Sequence, residues 1–112
     1  MNYVVTHRGA VTVVRIEEER ATVLQGVDDL KTALVGLADG GHANIVVDMS
    51  RVEFADSSML GALVSALKMA TRRYGDVKLA GITPQVRAVL EMTRLYRVFE
   101  IFDAEDDAVA SF

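Results

Sequence analysis

"ANIVVDMSRVEFADSSMLGALVSALKMATRRYGDVKLAGI", Ala43 to Ile82, carries two short apolar runs on either side of a longer run with a different period. "ANIVVDM" is nearly continuous in apolar residues, the pattern of a strand buried on both faces in the middle of a sheet. After "DSS", Leu60, Leu63, Val64, Leu67 and Ala70 recur at three- and four-residue steps and form a helical stripe. Lys68, Arg72 and Arg73 gather toward its end, where positive charge suits the helix dipole. Gly75 ends this helix, and "DVKLAGI" reads as the next strand. A strand, a helix and a strand of these lengths make a crossover unit of a parallel sheet.

The flanks extend the alternation. Tyr3 to Thr6 and Ala10 to Ile16 are two β-rich runs separated by His-Arg-Gly, the pattern of a hairpin. From about Thr22 the period becomes helical through Val23, Val27, Leu30, Leu34 and Leu37, and "DGGH" stops the helix with glycines. Beyond Ile82, "TPQVRAVLEMT" reads as a helix with Thr83 as cap and Pro84 at its first position. "VFEIF" reads as a last short strand and "DAEDDAVASF" as a terminal helix capped by Asp103. The order β-β-α-β-α-β-α-β-α predicts an α/β domain: a mixed, mostly parallel five-stranded sheet opened by an N-terminal hairpin, with about four helices.

A chain of 112 residues, 51% of them hydrophobic, is one domain with one core. Its net charge of −4 comes without a cluster of Lys and Arg, which speaks against nucleic acid as a direct partner. The absence of cysteine removes disulfides and thiolate metal sites and fits a reducing compartment. No apolar run is long enough for a membrane span and the start lacks the order of a secretory signal, so the expected location is cytoplasmic, without membrane insertion. His7 and His42 stand far apart in sequence and read as solvated bystanders, so no metal site is expected.

The chemistry-bearing candidate is "DSS". Asp and Ser are favoured at helix N-termini because their side-chain oxygens accept from the free backbone N–H groups of the first turn. A serine there also sits at the end of the sheet where open α/β folds place their sites. A phosphoryl group on it would meet free N–H groups and the positive end of the helix, and would bring about −1.5 to −2 charges beside Asp56. Capping and switching are compatible. Asp48, after "IVV", has the placement of a receiver-domain phospho-acceptor, with Glu17, Glu18 and Glu19 as an acidic pocket. The spacing opposes this, since only one helix separates those glutamates from Asp48; Asp48 reads instead as a strand-end residue bonding to the following loop. "GLADGG" is a helix stop with no Lys-Ser or Lys-Thr after it, and no Ser/His/Asp set can be argued, so the chain does not read as an enzyme and no cofactor is called for. Phe99 and Phe102, with Leu95 and Val98, read as core.

The stretch "VVDMSRVEFADSSMLGALVSALKMATRRYGDVKLAGITPQVRAVLEMTRLYRVFEIFDAEDDAV", Val46 to Val109, resembles the STAS domain of bacterial anti-sigma factor antagonists. The resemblance rests on several motifs in order: the strand ending in Asp, Asp-Ser-Ser, Leu-Gly-Ala-Leu, Leu-Ala-Gly, Thr-Pro-x-Val-Arg with Leu-Glu-Met-Thr, and Val-Phe-Glu-Ile-Phe before acidic residues. It implies a single STAS domain over residues 1–112 that binds an anti-sigma factor serine kinase and so frees a sigma factor for transcription. It further implies phosphorylation on Ser57 by that kinase, removal of the phosphate by a metal-dependent serine phosphatase, and a partner surface of Asp56, Ser57, Ser58 and Met59. ATP would belong to the kinase. Two departures from the family pattern stand out. Met59 occupies a place usually held by glycine and is expected to add bulk at the rim. "EEERATVLQG" replaces a Gly-Glu-Leu-Asp type of segment that normally lies beside the phosphorylation site, which brings Glu19 and Arg20 into the expected partner surface. Arg94, where glycine is common, is a lesser departure. The alternative function is a STAS scaffold or adaptor subunit of a stress-signalling or lipid-transport complex that works without phosphate.

Overall fold

The computed structural model describes residues 1–112. β1 (Tyr3–Arg8) and β2 (Val11–Ile16) pair antiparallel as the expected hairpin, turning through Gly9. There follow β3 (Arg20–Ala21), α1 (Val27–Asp39), β4 (Asn44–Asp48), β5 (Phe54–Ala55), α2 (Ser57–Arg72), β6 (Asp76–Ala80), α3 (Pro84–Met92), β7 (Ile101–Phe102) and α4 (Glu105–Ala110). The main sheet has five strands in the order β1-β2-β4-β6-β7, and every pairing after the hairpin is parallel. This is the mixed, mostly parallel α/β architecture that the alternating periods predict.

The continuous apolar run Ile45, Val46 and Val47 sits at the centre because β4 is covered on both faces. Ile45 and Val47 face the larger core, 23 buried residues in which Val14, Ile16, Val77 and Leu79 lie under Leu30 and Leu34 of α1, Leu63 and Ala66 of α2, and Leu90 of α3. Burying each such leucine contributes roughly 1.5–3 kcal/mol. Val46 faces the other side, where only Val11, Val13, Ala80 and Ala108 of α4 join it. Polar contacts hold α4 over this second face. Arg8 donates to Asp106 at 2.6 Å, Arg15 to Glu105 at 3.0 Å, and the Lys78 ammonium to the Ser111 hydroxyl at 2.8 Å. No helix is long and apolar enough to cross a membrane.

Several local expectations change. Val23 is not part of the first helix: Val23–Gln25 is a separate 3-10 turn, and Gly26 at φ 86 turns the chain before α1 begins. A side chain at that φ is strained, which is why the helical stripe breaks there. α2 stops at Arg72 with Tyr74 in the left-handed region; Gly75 is required for a different reason, since a Cβ on it would lie 2.2 Å from the Ala43 carbonyl oxygen. The "VFEIF" strand shrinks to Ile101–Phe102 because Leu95–Arg97 forms a 3-10 turn. Phe99 is core, as expected, whereas Val98 is exposed. α4 takes Ala104, not Asp103, as its N-cap, with no side-chain cap. Three acidic residues in its first turn, Glu105, Asp106 and Asp107, complement the helix dipole instead.

Asp48 behaves as a strand-end residue: its Oδ1 accepts the Ser50 N–H at 3.0 Å. Lys78 lies in the middle of β6, almost wholly buried, and reaches the tail. His7 and His42, far apart in sequence, are brought together, with ring centres 4.9 Å apart and the rings tilted by 42°.

Candidate functional site

The site grows from the N-terminus of α2. Asp56 is the N-cap, in extended backbone at φ −90 and ψ 180, and its Oδ1 accepts the Met59 N–H at 3.1 Å. The Ser58 hydroxyl donates to the same oxygen, and Oδ2 accepts the Val23 N–H at 3.1 Å. The Ser58 hydroxyl bond, with the N–H donors of Val23 and Met59, holds the Asp56 carboxyl below its ordinary range against a smaller upward push from burial. Asp56 therefore does the capping that "DSS" left shared between an acid and two serines. Ser57 is the first helical residue, exposed, and takes no part in the cap.

The altered loop reaches the same place. β3 pairs in parallel with β5, setting Arg20 beside Phe54 and Ala21 beside Ala55. The Glu19 carbonyl accepts the N–H groups of Glu53 at 2.7 Å and Phe54 at 3.1 Å, and the Ala21 carbonyl accepts that of Asp56 at 3.2 Å. The Arg20 guanidinium lies 4.5 Å from the centre of the Phe54 ring, a cation–π stack. Glu19, Arg20, Asp56, Ser57 and Ser58 thus share one edge of the molecule. Met59 leaves it: the side chain is fully buried among the core residues. The expected bulk at the rim is absent because the third position of this helix points toward the sheet, so Met59 packs instead of facing a partner.

Three apolar residues complete the surface; the sequence pattern marked only Val23 among them, and that as part of a helix. Leu24 is 89% exposed, Val23 56% and Phe54 47%, on the two segments that flank Asp56. The signal available in the sequence was Gly26, whose place between Val23 and Val27 breaks the helix and turns Val23 and Leu24 outward.

The chemistry on offer is recognition: a free hydroxyl at a helix N-terminus, a charged cap behind it and exposed apolar side chains around it. The profile of the STAS domain matches residues 2–108. This chain belongs to the STAS domain family. Among its relatives, BtrV of Bordetella bronchiseptica, named as a candidate anti-sigma factor antagonist, is 25% identical over 108 residues, 91% of this chain and 93% of BtrV. An anti-sigma-factor antagonist STAS domain protein of Planctomyces limnophilus superposes with a TM-score of 0.88 at 23% identity, over 97% of this chain and 96% of that one. The Bacillus cell fate determinant SpoIIAA in its phosphorylated form gives 0.76 at 17% identity, over 98% of each chain. At these identities the two structures speak for the fold. The family assignment agrees with the strand order, the opening hairpin and the four helices.

Proposed function

We propose that this chain is an anti-sigma factor antagonist: its Asp56 turn docks an anti-sigma factor that is also a serine kinase, and phosphorylation of Ser57 ends the complex. The observation that carries this reading is the division of labour at α2, where Asp56 caps the helix while Ser57, next to it, stays exposed and uncommitted. A kinase can take the Ser57 hydroxyl without first breaking the cap. Once added, the phosphate brings about −1.5 to −2 charges beside Asp56, and a close-packed interface would have to desolvate that group next to a like charge. Leu24 and Phe54 supply the apolar contacts that the free form holds open to water. A metal-dependent serine phosphatase resets the switch. The chain acts as a binding protein and regulates sigma-factor-dependent transcription through its partner; that SpoIIAA, which shares the fold, exists in a phosphorylated form is in keeping with this reading.

The test is a binding titration against the anti-sigma kinase from the same cells, with ATP and by mass spectrometry of the product. Phosphate is expected on Ser57 and not on Ser58. Ser57→Ala is expected to stay bound in ATP, Ser57→Glu to bind at least tenfold more weakly, and Leu24→Ala to weaken binding while leaving the fold intact. Equal binding by all three variants, with no phosphate on Ser57, would sink the switch.

One observation favours the scaffold reading as a second choice. Val64, Leu67, Leu95 and Val98 line an apolar groove between α2 and the turn after α3, flanked by Lys68 and Arg72 and away from Ser57. A partner held there would not feel the phosphate, so binding insensitive to Ser57→Glu but lost in Leu67→Asp would select this function.

A further inference from the structure

The two histidines of the chain meet at the end of the sheet opposite Ser57, where β4 begins. We propose that His7 and His42 form a two-histidine site for a divalent transition-metal ion of borderline softness, the class of Zn2+, Ni2+ and Cu2+.

The spacing is that of two ligands on one ion. An ion bonded about 2.0 Å from one nitrogen of each ring, at a roughly tetrahedral angle, holds the two ring centres about 5 Å apart. The rings here are 4.9 Å apart, tilted by 42°. Thr12, buried in the neighbouring strand, engages the His7 Nδ1 through its hydroxyl at 3.1 Å. That bond fixes the ring and leaves Nε2 as the coordinating nitrogen, the outer support that metal-binding histidines ordinarily have.

Both backbones are anchored before any ion arrives. His7 pairs with Thr12 in the hairpin register, and the His42 N–H bonds the Leu37 carbonyl at 2.9 Å after Gly41 has turned the chain at φ 96. Little ordering is left for binding to impose. The cleft between them is also lined by Asn44, Arg73 and Tyr74, and by no carboxylate. Calcium and magnesium require oxygen ligands, several of them charged, whereas neutral imidazoles select zinc, nickel and copper. Arg73 does not oppose a cation there, because its guanidinium is committed to Asp39, with Nε 3.1 Å from Oδ1. Water would complete the coordination, and Asn44 lies in the same cleft. The ion would tie the hairpin to the loop after α1, so its binding would add to the stability of the fold by mass action.

The experiment is isothermal titration of ZnCl2, and separately NiCl2, into the tag-free chain, alongside His7→Ala and His42→Ala. Both residues are exposed, so the variants should keep their thermal midpoint without metal. One ion per chain is expected, with affinity reduced at least tenfold in each variant and a metal-induced rise in thermal midpoint seen only in the parent. Absence of saturable uptake of either metal, or affinity within twofold of the parent in both variants, would overturn the site.

Discussion

The Asp56 carboxylate bonds the Val23 N–H through Oδ2 and the Met59 N–H through Oδ1, each at 3.1 Å. One side chain therefore closes the start of α2 and ties to it the turn that presents Leu24. Asp56→Asn separates the two tasks. The amide keeps an oxygen for Met59 but turns an NH2, which cannot accept, toward Val23. Amide exchange at Val23 is expected to speed up while Met59 stays protected, at a cost of about 1 kcal/mol in stability. Asp56→Ala removes both bonds and should cost about 1–2 kcal/mol, read by urea unfolding.

The adjacent serines should answer differently to alanine. Ser57 is outside the cap, so Ser57→Ala should stay within about 0.5 kcal/mol of the parent. Ser58 gives its hydroxyl hydrogen to Asp56, and Ser58→Ala should lose about 1 kcal/mol. Equal losses in paired denaturation curves would contradict the assignment of the cap.

Met59→Gly restores the residue common in the family and empties a fully buried position. It should destabilise by about 2–5 kcal/mol for the lost side chain, with about 1 kcal/mol more for glycine in a helix. Met59→Leu should cost less than about 1.5 kcal/mol. A glycine variant as stable as the parent would mean that Met59 does not fill the core.

Acid should loosen the Asp56 turn. The Ser58 hydroxyl and backbone N–H bonds depress the Asp56 carboxyl. Burial pushes Asp48 up, but its hydrogen bond with Ser50 and the Arg15 charge leave it depressed as well. A carboxyl depressed in the folded state adds stability that is complete above its unfolded value, 3.8 for both, and is lost as pH falls through the folded value. These two groups should leave stability flat near neutrality and reduce it below about pH 4. Asp56→Asn should show a shallower acid limb when the urea midpoint is followed against pH.

The βαβ core was legible in the sequence because Ile45–Val47 and Leu60–Ala70 have unambiguous periods, and one buried face enforces each. β3 and β5 were not, since strands of two residues have no period and exist only by pairing with each other across the chain. Val23 and Val27 have helical spacing, but the backbone of Gly26 between them overrides it. "DSS" pointed to the right turn without dividing its labour: which oxygen caps depends on φ and ψ at Asp56, and the inward direction of Met59 depends on the helix phase. The meeting of His7 with His42 is wholly tertiary, set by the register of β1 and the exit from α1.

The uneven clothing of the sheet makes ionic strength a selective reagent. α4 buries one side chain, Ala108, and leans on the exposed Arg8 and Arg15 ion pairs, contacts that dissolved ions screen. The apolar packing under α1 and α2 does not weaken in this way, and sulfate strengthens it. Concentrated salt should therefore divide a cooperative fold into two units, with α4 peeling away as a flap while the other face stays closed. The uncovered strip of Val11, Val13 and Val46 would then be sticky, and loss of solubility would precede loss of structure.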